Sequence, residues 1–184
     1  LVTPFKISEF AIDEAGSLEV IQHALDWAEK EDDQCYDSIL LLEPPCPFRL
    51  PIHLSEALEI ALTTNGTSVM SVVKVGDQHP IRMKKMDSDG SLKGYFAEEP
   101  EGLRRQDQEP AYIRNGAVNI FSRSTITSGH LWGATPYGYV MDCSLYGINI
   151  DESIDVLTAN AFYCEMKKVN GGLSKIEYIP RGIR

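Results

Sequence analysis

The residues able to do chemistry cluster in three segments, each following a run that reads as a strand. Glu43 and Arg49 bracket a loop stiffened by Pro44, Pro45 and Pro47. Such a loop can hold a polar ligand with little loss of chain freedom, or it can carry a plain salt bridge on a rigid turn. Asn149 and Asp151 stand two apart. At the end of a strand that spacing turns both side chains to one side. An amide oxygen and a carboxylate placed so could hold Mg²⁺, although capping the helix that follows is the commoner job of an Asp in that place. Arg82, Lys84, Lys85, Arg104, Arg105 and Arg114 put cations into the stretch between. Arginine grips carboxylate or phosphate with two parallel donors, and a solvated charged face is the plainer alternative. His23, His53, His79 and His130 have no arranged Ser or Cys partner and read as structural or surface residues. Neither a nucleophile motif (Ser-His-Asp, GxSxG, HExxH) nor a glycine-rich phosphate loop (GxGxxG, GxxxxGK[ST]) is found.

The elements that must position these groups alternate. Residues 17–30 read as a helix with Ser17 as N-cap and Leu18, Ile21, Leu25 and Ala28 on one face. Residues 37–43 read as a buried strand in a parallel sheet, 51–62 as a helix with Pro51 in its first turn, and 68–75 as a β-branched strand. From Gly76 to Arg114 apolar periodicity is lost, apart from an Asp89-Gly90 hairpin signal. An excursion of that length is a lid, a binding arm or a subunit contact. Strands follow over 117–121, 137–141 and 146–150, then a helix over 153–168. The tail 169–184 carries a Gly171-Gly172 turn and a possible edge strand over 175–179. The pattern predicts one α/β domain over 1–184: a three-layer sandwich on a mostly parallel, Rossmann-like sheet, with the excursion as an extended arm.

Composition narrows the function. The 184 residues are 43% hydrophobic and 24% charged, which is globular, and enough to bury roughly two-thirds of the unfolded surface. A net charge of -10 repels polyanions, so nucleic acid is not an expected partner. No apolar run reaches the length of a membrane span. Cys35, Cys46, Cys143 and Cys164 form no CxxC pair and read as reduced thiols of a cytoplasmic protein.

Six segments, in order, resemble the acylneuraminate cytidylyltransferases, the CMP-sialic acid and CMP-KDO synthetase type. Residues 6–13 (KISEFAID) are similar to RPxELAxD, and 17–27 to the helix after it. Residues 41–49 (LLEPPCPFR) are similar to LLQPTSPLR, and 68–72 (SVMSV) with 79–82 (HPIR) to SVVSV and HP(K/R). Residues 104–107 (RRQD) with 112–120 (YIRNGAVNI) are similar to RRQD…YxRNGAIYI, and 149–155 (NIDESID) to DIDTxxD. The resemblance implies a nucleotide-diphospho-sugar transferase fold. It also implies a reaction in which the anomeric hydroxyl of a sugar acid attacks the α-phosphate of CTP and pyrophosphate leaves, with Mg²⁺ offsetting charge. It implies that Lys6 and Glu43 face the sugar acid, that Asn149 and Asp151 hold the metal, and that Arg82 and Arg105 lie on an arm reaching a partner subunit of a homodimer. The candidate set is therefore Arg82 and Arg105 for catalysis, with Lys6, Ser17, Glu43, Arg49, Arg114 and Asn115 for CTP and sugar binding.

The departures from the pattern are specific. Glu43 replaces Gln, Pro45 and Cys46 replace Thr and Ser, Asn119 replaces Tyr, Asn149 replaces Asp, and Lys6 replaces Arg. Nothing in the chain matches the family's opening strand and PARGGSKRxPxKN loop, and the chain opens at Leu1 rather than Met. Two readings follow: the C-terminal portion of an enzyme that is active when complete, or a diverged, non-catalytic homologue serving as a dimerising scaffold.

Overall fold

The computed structural model describes residues 16–141 and 144–170. Its elements are α1 (Ser17–Asp32), β1 (Ser38–Leu41), α2 (Pro51–Thr63), β2 (Ser68–Lys74), β3 (Lys84–Met86), β4 (Leu92–Gly94), β5 (Tyr112–Ser122), α3 (Arg123–Thr127), β6 (Pro136–Val140) and α4 (Ser153–Asn170). Lys6 and the tail features expected at 171–179 lie outside the described residues.

The central sheet has the order β1-β5-β2-β6. Its β2–β6 pair is parallel, whereas β5 runs antiparallel to both β1 and β2. The expected mostly parallel sheet, including a parallel setting for β1, is thus corrected to a mixed one. The cause is the connection. No α-helix separates β2 from β5, so the chain returns beside the strand it left, as in any hairpin. Lys74 pairs with Tyr112, and Val75 N donates to Ala111 O at 2.8 Å to close the neck. The excursion is therefore the tip of a long hairpin spanning 76–111, and β5 begins at Tyr112 rather than at Ala117. Within the excursion, β3 and β4 form the ribbon expected around Asp89-Gly90. Gly90 adopts φ +84°, and the Asp89 side chain accepts from Ser91 N at 3.0 Å.

Successive side chains of β5 face opposite sides. Val118 and Ile120, with Val69 and Tyr139, pack against Ala57 of α2 and Ala159 and Met166 of α4. Phe121 faces the other way, onto Ile21 and Leu25 of α1 and Ile126 of α3. The result is helix, sheet, helix in three layers. Each fully buried Ile, Leu or Phe stabilises this arrangement by about 1.5–3 kcal/mol.

Local chemistry sets the ends of the elements. Gly16, not Ser17, is the N-cap of α1, and Ser17 is its first helical residue. Pro51 opens α2, while the buried His53 accepts from Leu50 N at 3.0 Å, as a structural histidine. The short α3 has too little apolar periodicity to be legible; Ser122 Oγ caps it by accepting from Thr125 N at 3.2 Å. The strand expected over 146–150 is not formed. A 3₁₀ turn, Ser144–Gly147, takes its start, because Gly147 must bend beneath Asn115: a Cβ there would lie 2.0 Å from Asn115 Nδ2.

One ion pair ties α1 to the start of α3. Arg123 donates to both Glu29 oxygens at 2.7 and 2.9 Å, and Tyr36 N donates to the same carboxylate at 3.1 Å. The Arg123 guanidinium first, and the Tyr36 amide second, hold the Glu29 carboxyl down from 4.5 to about 2. A lowered folded-state value stabilises the fold above the unfolded value, and that stability fades as pH falls through the folded one. Acid titration of stability followed by circular dichroism should therefore show wild-type protein losing a component between pH 4.5 and about 2. Glu29→Gln should lack that component and be less stable at neutral pH.

Candidate functional site

The site is built on an irregularity in β5. Ser68, Val69 and Met70 pair with Phe121, Ile120 and Asn119, but Val72 pairs with Arg114. Residues 115–118, the NGAV of the RNGA stretch, therefore stand opposite Ser71 alone. The fully buried Ser71 donates to Asn115 Oδ1 at 2.6 Å and accepts from Val118 N at 2.8 Å. Asn115 Oδ1 also accepts from Ala117 N at 3.2 Å, and its Nδ2 donates to Met141 Sδ at 3.0 Å. Gly116 takes φ +70°, in the left-handed region where a glycine is unstrained. A bulge bends its strand and re-aims the groups on it.

Two loops dock onto this bulge. From the proline loop, Arg49 donates to Ala117 O at 2.9 Å, and the Cys46 thiol lies 3.2 Å from Asn115 O. The Glu43 carboxylate sits over Gly116, where a Cβ would lie 2.7 Å from Oε2, while its Oε1 accepts from Asn119 Nδ2 at 3.2 Å. From the loop before α4, Asn149 Oδ1 lies 3.5 Å from Cys46 Sγ, and Ile150 N donates to Pro45 O at 3.0 Å. Glu43, Cys46, Arg49, Asn115, Asn149 and Asp151 thus meet around one point beyond the end of β1. Burial pushes the Cys46 thiol up; Arg49 opposes that shift, and Glu43 and Asp151 add to it.

Asn149 and Asp151 meet for a reason other than strand alternation, since no strand precedes them. Asn149 Nδ2 donates to the Asp151 carboxylate. From the first turn of α4 the Asp155 side chain reaches back and accepts from Asp151 N at 3.1 Å and Glu152 N at 2.8 Å. Asn149 turns its nitrogen to Asp151 and its oxygen to the Cys46 thiol, leaving one carboxylate. Among the described residues no three acidic, His or Cys side chains converge as a metal site.

The other candidates stand apart from this group. Ser17 opens α1 with an exposed side chain. Arg114 lies over the Trp132 ring at 4.6 Å. Arg82 and Arg105 converge on Asp77 Oδ1 at 3.6 and 3.1 Å, at the base of the hairpin tip. Arg105 there lines a cavity of about 440 Å³ with Lys74, His79 and Gln108. Sequence reasoning missed Ser71, Asp77 and the partnership of Glu43 with Asn119. The available signal was Asn119 itself, a polar side chain inside an apolar strand that must find a partner.

Fold and site together define an α/β protein whose polar centre lies beyond the strand ends, where such sheets bind ligands. No family model matches the chain. It is 31% identical over 153 residues to an N-acylneuraminate cytidylyltransferase of Oncorhynchus mykiss, covering 80% of this chain and 32% of that protein. It is 26% identical over 150 residues to one of Streptococcus agalactiae serotype V, covering 81% of this chain and 34% of that protein. It is 32% identical over 130 residues to a CMP-N,N'-diacetyllegionaminic acid synthase of Legionella pneumophila, covering 68% of this chain and 51% of that protein. The chain belongs to the acylneuraminate cytidylyltransferase family. It spans about a third of the length of the two cytidylyltransferases and about half that of the synthase.

Gly116→Ala should destabilise the protein by about 1–3 kcal/mol in urea unfolding, from left-handed strain plus displacement of Glu43. Alkylation with iodoacetamide, mapped by mass spectrometry, should label the exposed Cys35 and Cys164 in native protein. It should reach Cys46, 0% exposed, only after unfolding.

Proposed function

We propose that the polypeptide carrying this chain transfers CMP from CTP to a nonulosonic sugar acid in the cytoplasm. The anomeric oxygen bonds to the α-phosphorus, the α–β phosphoanhydride bond breaks, and pyrophosphate leaves. The observation that supports this reading is the convergence of the proline loop, the RNGA bulge and the Asn149–Asp151 loop in a chain whose relatives are named for that chemistry. Arg49 holds the bulge and offers its remaining donors to an anionic group. Glu43 and Asn119 present an acceptor and a donor to the sugar. Arg82 and Arg105, which share Asp77, supply cations to phosphate or carboxylate oxygens.

The hairpin tip supports association with a second copy. Met86, Leu92, Tyr95 and Phe96 are exposed on it, Phe96 at 71%. Its base holds a cavity of about 560 Å³ lined by Met83, Phe96, Tyr112 and Ile113. Apolar side chains gathered on one protruding limb are the composition of a subunit contact.

Pyrophosphate release by the full-length polypeptide tests the proposal. Release should require both CTP and a sugar acid, and Arg105→Ala should lower kcat/KM by about tenfold or more. Phe96→Asp should shift the sedimentation coefficient from dimer to monomer. Absence of release with every sugar acid tried, in protein that binds no CTP, would overturn the reading.

A further inference from the structure

Four of the positions at which this chain departs from the family pattern touch one another in two pairs. Glu43 and Asn119, 76 residues apart, are hydrogen-bonded at 3.2 Å. Cys46 and Asn149 lie 3.5 Å apart across the neighbouring edge of the site. The charge at these positions has been moved rather than lost. Asn149 carries no charge where the pattern has a carboxylate, and Glu43 carries one where the pattern has an amide. Glu43 and Asp151 both act on the Cys46 thiol between them, so both carboxylates belong to one polar centre.

A carboxylate differs from an amide in what it can meet: glutamine both donates and accepts, whereas an ionised glutamate only accepts. One oxygen of Glu43 is held by Asn119, and the other lies over the Cβ-less Gly116. Among the described residues no Lys, Arg or His nitrogen comes within ion-pair distance of Glu43. Arg49, which donates to the backbone carbonyl of Ala117, stands on the same loop as the available cation. The centre thus offers an acceptor fixed by Asn119 and a guanidinium on the same loop.

Resting on the proposed sugar-acid reading, we infer that Glu43 is a specificity-determining residue. It selects an amino sugar acid, one that brings an ammonium group to Glu43 while its carboxylate goes to an arginine. An acyl oxygen or a carboxylate placed against Glu43 is repelled, which sets the preference.

Binding calorimetry on the full-length protein with CTP present tests this with two probes. They are the 2-O-methyl glycosides of neuraminic acid (free ammonium) and of N-acetylneuraminic acid; the methyl group blocks turnover. Wild-type protein should bind the ammonium probe about tenfold tighter or more, as expected for one charge-assisted hydrogen bond. The isosteric Glu43→Gln should bring the ratio to about one or reverse it. An equal or reversed preference in wild type, or a ratio unmoved by Glu43→Gln, overturns the inference while leaving the sugar-acid reading standing. Heat with neither glycoside overturns both. The wild-type ratio decides by itself if the variant does not fold.

Discussion

A buried serine facing four residues of the neighbouring strand is the constraint on which the site depends. Ser71 bridges Asn115 Oδ1 and Val118 N, closing the gap that the bulge would otherwise leave in the β2–β5 ladder. Without it the Val118 amide would be buried unpaired, at about 1–3 kcal/mol. With it, the carbonyls of Asn115 and Ala117 turn out of the ladder and become anchors for Cys46 and Arg49. The same turn brings Gly116 under Glu43 and Asn115 over Gly147. Three segments distant in sequence are thereby fixed by one defect in one strand.

The long hairpin is the second consequence of pairing β2 with β5. Both arms of the hairpin stay in the sheet, so its tip is carried well outside the core. There Asp77 draws Arg82 and Arg105 together, and Glu99 approaches both Arg82 and Lys84. Such exposed pairs contribute little to stability. Their role is to hold cations at one place on a limb whose apolar side chains face outward. Bulge and limb thus place Glu43 on the sheet and Arg82, Lys84 and Arg105 on the hairpin tip.

The neutral Asn149 and the charged Glu43 make this centre different from the pattern to which the chain is kin. Asn149 is tied on one side to Asp151 and on the other to Cys46, so it links two loops. Among the described residues no helix is long and apolar enough to cross a membrane.

How much of this was legible in the sequence follows from the range of the forces involved. Helical stripes such as Ile21 with Leu25, the β-branched run of β2, the Asp89-Gly90 turn and the proline-stiffened loop rest on local sterics and periodic burial, and the sequence alone determined them. The ordered segments from Glu43–Arg49 to Asn149–Asp155 likewise pointed to the family. Strand direction did not follow, because alternation of helix and strand says nothing about a pair joined by a long non-helical excursion. The 146–150 segment was misread because Gly147 answers to Asn115, a neighbour 32 positions away in sequence. The Glu43–Asn119 and Cys46–Asn149 contacts were invisible for the same reason. Only the tertiary structure decided them, since a hydrogen bond between distant residues depends on where the backbone puts both ends, and here a bulge three residues out of register did so.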